Sequence, residues 1–85
     1  MCIRDSFELG GYRIEIYPNP VADFLYIDTS LPALDYQIHS FNGSLIMSGK
    51  LEQSQISTSG LSSGTYLLIL ENEIGERIVD RIVKL

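Results

Sequence analysis

His39 is the only histidine in the chain, so it is the first residue to weigh for acid–base chemistry. It alternates outward beside Gln37 on a strand-like run, and no acid is spaced locally to orient its ring. A solvated strand residue is the expectation. Glu71, Glu73 and Glu76 gather around residues 72–75 and offer the oxygen ligands a hard cation takes, but their spacing does not match a calcium loop. Acidic turn residues on an acidic chain are ordinarily solvated, so no metal is assigned. No glycine-rich loop opens a helix, since no helical run is evident, and a phosphate or cofactor site has nothing to rest on. No catalytic, cofactor-binding or metal residue is assigned. A non-enzyme without cofactors is expected.

What remains informative is backbone punctuation. Tyr17-Pro18-Asn19-Pro20 places two prolines one residue apart between apolar runs, and each proline lacks an N–H and fixes φ. The segment reads as a stiff corner turning one strand into the next, with Tyr17 and Asn19 pushed toward extended conformations. Before it, Arg13 and Glu15 alternate with Ile14 and Ile16, the period of a half-buried strand that stops at the corner. After it, residues 24–29 pair Leu25 with Ile27 on one face and Phe24 with Tyr26 on the other. A further strand covers residues 34–41, with Tyr36 and Ile38 opposite Gln37 and His39. Asn42-Gly43 then signals a type I′ hairpin leading to residues 45–47, and Gly49-Lys50 turns the chain again. Residues 53–58 read as a polar edge strand around Ile56.

Gly64 opens the most apolar run, residues 65–70, which belongs in the centre of a sheet. The last run, residues 77–83, has apolar pairs four apart that also suit a helix stripe, yet its branched residues favour a strand. Seven short strands with turns between them predict an all-β chain, a small antiparallel immunoglobulin-like β-sandwich of about seven strands. Its core should comprise Ile14, Ile16, Leu25, Ile27, Ile38, Ile46, Ile56, Leu61, Tyr66, Leu68 and Leu70. Gly43 and Gly64 should occupy backbone positions hostile to a side chain, unlike Gly10 and Gly11. Phe24, Tyr26 and Ile69 alternate away from that core, and either form an exposed apolar patch or lie under loops.

Length allows one domain, and 45% hydrophobic residues are enough for an independent fold. A net charge of −5 with six scattered Lys and Arg disfavours nucleic acid and basic binding to a membrane surface. The lone Cys2 cannot make an internal disulfide. No stretch is long and apolar enough for a membrane span, and the start lacks a signal-peptide pattern. Residues 1–6, Met1-Cys2-Ile3-Arg4-Asp5-Ser6, resemble the translation of a transposon-end adapter from sequencing libraries and read as non-native; the alternative is an ordinary polar tail. On the adapter reading the chain is the tail of a longer protein. Residues 7–11 read as a linker, flexible through its paired Gly10 and Gly11, and residues 12–85 as the domain.

Three signals occur in order: the corner Tyr17-Pro18-Asn19-Pro20, the turn Asn42-Gly43, and Leu61-Ser62-Ser63-Gly64-Thr65-Tyr66. Together, with Asp23 after the first and Leu45-Ile46 after the second, they resemble the C-terminal sorting domain of proteins exported by the type IX (Por) secretion system. The likeness runs from about Tyr17 to Leu85. Two departures stand out: His39 and Ser40 where the family commonly carries Tyr and Asp, and Ile69 where a polar residue usually alternates. The resemblance implies a missing passenger upstream, to which residues 7–11 are the linker with Gly10 and Gly11 as the processing region, and export through the periplasm and across the outer membrane of a Bacteroidota-type bacterium. Its implied partners are the secretion machinery, including an outer-membrane shuttle and a sortase-like protease that removes the domain, leaving the passenger secreted or on the cell surface. The domain itself is expected to be monomeric, with Tyr17, Pro18, Asn19, Pro20, Asn42, Gly43, Leu61, Gly64 and Tyr66 as its sorting motifs. The competing classes are an immunoglobulin-like adhesion or carbohydrate-binding module and a passive spacer.

Overall fold

Alternation of apolar and polar residues is realised as eight strands in a computed structural model that describes residues 3–30, 33–51 and 54–85. They are β1 (Ile3–Leu9), β2 (Tyr12–Asn19), β3 (Phe24–Thr29), β4 (Asp35–Ser40), β5 (Leu45–Lys50), β6 (Gln55–Ser57), β7 (Gly64–Glu71) and β8 (Arg77–Lys84). Two four-stranded sheets form, in the orders β1-β2-β3-β6 and β5-β4-β7-β8, and all neighbouring strands within them are antiparallel. The all-β sandwich read from sequence is thus the fold, with one more strand than expected. No helix occurs among the described residues.

Each sheet turns its alternate residues inward, which is what a period of two dictates when one face is buried. Ile14, Ile16, Leu25 and Ile27 from one sheet meet Ile38, Leu68, Leu70 and Ile82 from the other, all fully buried. Ile56 and Tyr66 complete that core as expected. Ile46 does not: it is 46% exposed, because Met47 is the residue of β5 paired with inward-facing Ile38. Leu61 is half-buried against the core's margin. Leu9, Val21, Leu34 and Thr58 are buried as well.

β7 lies between β4 and β8, the central place its apolar run required, and β6 is an edge strand. The ambiguous last run is strand β8. Residues four apart share a face at both period two and period 3.6, so Ile78 and Ile82 could not decide the question by spacing. Cross-strand pairing with β7 from Glu71↔Arg77 to Gly64↔Lys84 decides it.

Four local expectations are corrected. Residues 7–9 continue β1, and Gly10 and Gly11 form a two-residue hairpin turn at φ +59° and +82° between the paired Leu9 and Tyr12. The expected linker is therefore ordered sheet, and the supposed contrast between these glycines and Gly43 or Gly64 fails, since all four have positive φ. Gly49-Lys50 stays within β5. Asn42-Gly43 is not a type I′ pair: only Gly43 has positive φ, at +96°, in a three-residue loop closed by Ser40 N–H to Ser44 O (2.8 Å). Asn42 instead uses its side-chain oxygen as a local acceptor for the Ser40 hydroxyl and the Ser44 N–H, an alternative short polar side chains offer the backbone.

Candidate sorting site at one end of the sandwich

Antiparallel connections alternate between the two ends of a sandwich, so every second loop falls at the same end. Here that end collects the segments around Pro18, Asn42, Leu61 and Gly64, together with the finish of β8. The three sequence signals, well apart along the chain, therefore lie at one end of the sandwich.

The corner begins inside β2. Between Asp5↔Ile16 and Ile3↔Asn19 the register slips, leaving β2 one residue longer than β1 at Tyr17-Pro18, which accommodates a residue with no N–H to donate. β2 therefore runs past the expected stop at Ile16. The peptide bonds preceding Pro18 and Pro20 are both cis. Tyr17 pairs with Tyr26 across the strands, and their rings stack with centroids 5.6 Å apart and planes 25° from parallel.

Beyond Pro18 the chain leaves its own sheet and runs along β8 of the other. The Asn19 side-chain amide donates to Arg81 O (3.0 Å), and its oxygen accepts from Val83 N–H (3.0 Å). Val21 then takes over with its backbone, its N–H donating to Val83 O (2.7 Å) and its carbonyl accepting from Leu85 N–H (2.9 Å), in a parallel bridge. One residue's side chain and another's backbone thus cover the final stretch of β8's otherwise open edge. Unpaired strand-edge groups invite mispairing, and this pairing removes the invitation. The Val21 side chain is fully buried beneath the bridge.

The same corner is held from the other side by Thr58, which is completely buried. Its N–H donates to Asp23 O (2.7 Å) and its hydroxyl to Ala22 O (3.0 Å), so the polar side chain is satisfied without water. Leu61 N–H donates back to Thr58 O (3.0 Å), and the Tyr66 hydroxyl donates to Ser62 O (2.8 Å), pinning the loop that carries the third signal. Leu61, Ile46 and Met47 line a cleft of about 380 Å³ between edge strands β5 and β6, floored also by Ser57 and Gly60. Gly64 pairs with Lys84, whose stem is buried with only 8% of the residue exposed.

Apolar side chains stay uncovered at this end: Phe41 at 67% exposure, Leu45, Phe24 and Leu85. Phe24 and Tyr26 face outward from one sheet and Ile69 outward from the other, so the three do not make one patch. The opposite end carries the Gly10-Gly11 turn and the acids Glu71, Glu73 and Glu76. Two of those acids, Glu71 and Glu76, are engaged in holding a turn. Glu71 pairs with Arg77 (3.0 Å), and Glu76 accepts from Asn72 Nδ2 (3.1 Å), while Asn72 Oδ1 accepts from the N–H groups of Ile74 and Glu76. Among the described residues no three His, Cys, Asp or Glu gather to hold a metal ion. His39 Nδ1 lies 3.1 Å from Gly43 O and Nε2 lies 2.9 Å from Gln37 Oε1, ties that brace the β4–β5 turn.

The signals Asn19 and Tyr66 were legible as motif residues; Val21, Thr58 and the backbone of β8 were not. Comparison with known proteins finds no match among curated proteins or solved structures. A family model does match, described as the secretion system C-terminal sorting domain, over residues 15–84. That span takes in all three signals, the corner among them, and the whole of β8. By this match the chain belongs to the secretion system C-terminal sorting domain family of type IX secretion.

Proposed function

We propose that this domain acts without catalysis of its own, as a folded address that directs an upstream passenger through the type IX secretion system. The secretion machinery reads the motif-bearing end of the sandwich. A signal shared by many passengers must be presented by backbone shape that no passenger alters, and a self-contained sandwich provides this. The carrying observation is that Asn19 and Val21 dock onto Arg81, Val83 and Leu85, which welds the proline corner and the last strand into one surface. Processing by a sortase-like protease then falls N-terminal to Tyr17, and the passenger reaches the surface or the medium by way of the periplasm. The domain works as a monomer in contact with an outer-membrane shuttle.

Two exposed apolar residues at opposite ends test which end is read. Phe41→Glu lies beside the motifs and Ile74→Glu lies in the far turn; both side chains are exposed, so neither change should unfold the domain. Export of a fused passenger should fall for the first and persist for the second. Equal export of both would reject reading at this end.

A second reading has one observation in its favour. The Tyr17–Tyr26 stack, with Phe24 exposed and Gln55 paired beside Tyr26, forms an aromatic platform with a polar neighbour on an outer sheet face, as a carbohydrate-binding module requires. Saturable glycan binding lost on Tyr26→Ala would support it.

A further inference from the structure

The outer edge of the first sheet is completed by a segment outside the span that matches the family. Among the described residues β1 pairs with β2 alone, through Ser6↔Glu15, Phe7↔Ile14, Glu8↔Arg13 and Leu9↔Tyr12, whereas the family match begins at residue 15. Backbone pairing makes no demand on side-chain identity. From Ser6 onward, β1 turns only Phe7 and Leu9 toward the core, with Leu9 5% exposed, while Ser6 and Glu8 face solvent. Strand and domain are joined covalently only by Gly10 and Gly11, whose positive φ values make a tight turn that contributes no apolar cover.

We propose that the edge of β2 facing away from β3 is a strand-acceptor site, and that its occupant is the segment immediately preceding the domain, held as β1 by edge pairing and by Phe7 and Leu9. An extended segment added to a sheet edge gains affinity from main-chain hydrogen bonds and specificity from alternate side chains. Two apolar residues in alternation suffice here. Without the segment, β2 presents a row of unpaired groups, the condition that edge strands are built to avoid. One consequence rests on the processing reading above: cutting the chain at Gly10-Gly11 leaves the upstream part attached, and β1 must also unzip before it departs. The acceptor edge acts as a latch on whatever precedes the domain.

The test uses the full chain with a fluorescent carrier fused ahead of Met1 and a specific protease sequence inserted between Gly10 and Gly11. After complete cutting, carrier and domain should co-elute in size-exclusion chromatography. The double variant Phe7→Glu, Leu9→Glu should lower the retained fraction by about tenfold or more, since two apolar contacts are lost. A second arm is independent of how that variant folds: excess synthetic peptide of residues 3–10 should displace the carrier from the cut wild-type protein. Immediate separation after cutting, or no displacement by the peptide, overturns the proposal. A dimer before cutting, with β1 supplied by a second copy, overturns it also. The readout involves no secretion, so its failure and failure of the sorting role are distinguishable.

Discussion

Asn19 and Val83 stand 64 residues apart in sequence and share a 3.0 Å hydrogen bond, in which the Asn19 side-chain oxygen accepts the Val83 N–H. The partner bond from Asn19 Nδ2 to Arg81 O makes the amide a surrogate for one residue of a neighbouring strand. Asparagine suits the position because its amide offers a donor and an acceptor side by side. Asn19→Ala should therefore destabilise the domain by roughly 1–3 kcal/mol in urea melting, and Asn19→Asp by at least as much, because a carboxylate would face the Arg81 carbonyl. Wild-type stability in both variants would show that the clamp contributes nothing.

Tyr66 joins two roles, filling the core between the sheets and donating to Ser62 O. Tyr66→Ala should cost roughly 3 kcal/mol or more, a large part of a small domain's stability. Tyr66→Phe keeps the ring and should cost only about 1 kcal/mol. Similar losses for the two substitutions would mean that the hydroxyl, rather than the packing, dominates.

Gly43 and Gly60 separate backbone strain from crowding, since an added Cβ meets nothing within 4 Å at either, yet only Gly43 has positive φ. Gly43→Ala should destabilise by about 1–2 kcal/mol, whereas Gly60→Ala should be neutral or slightly stabilising through the unfolded chain. Equal melting temperatures for the two variants would remove the φ argument.

The Arg77–Glu71 pair at 3.0 Å is well formed, but its side chains are 57% and 32% exposed. Arg77→Ala should change stability by less than about 1 kcal/mol, and still less in high salt. A larger loss would indicate a structural role for this end of β8.

Local patterns carried much of this fold. Alternation announced β2, a nearly continuous apolar run announced β7, and the branched residues of β8 resolved a spacing that fits either helix or strand. The docking of Asn19 and Val21 onto β8 joins segments more than sixty residues apart and leaves no local trace beyond the corner itself. β1 was hidden for a different reason: only two of its residues from Ser6 onward face the core, too few to show a period, and paired glycines suit a flexible linker and a tight turn equally. Asn42 misled through its side chain, which satisfied the turn in place of a left-handed backbone. In the candidate site, the motif residues were legible as punctuation. The partners that unite them were not, because those contacts are made by backbone groups and by a buried threonine.

The sorting role is tested most directly by fusing a signal peptide and a fluorescent passenger ahead of residues 7–85 and following the passenger in a host with a working type IX system. The passenger should appear in the medium or on the surface, remain in the periplasm when that system is disabled, and remain there when residues 78–85 are removed, because the strand that carries Arg81 and Val83 is then gone. Export of the passenger without the domain, or unchanged export in the disabled host, would contradict the account.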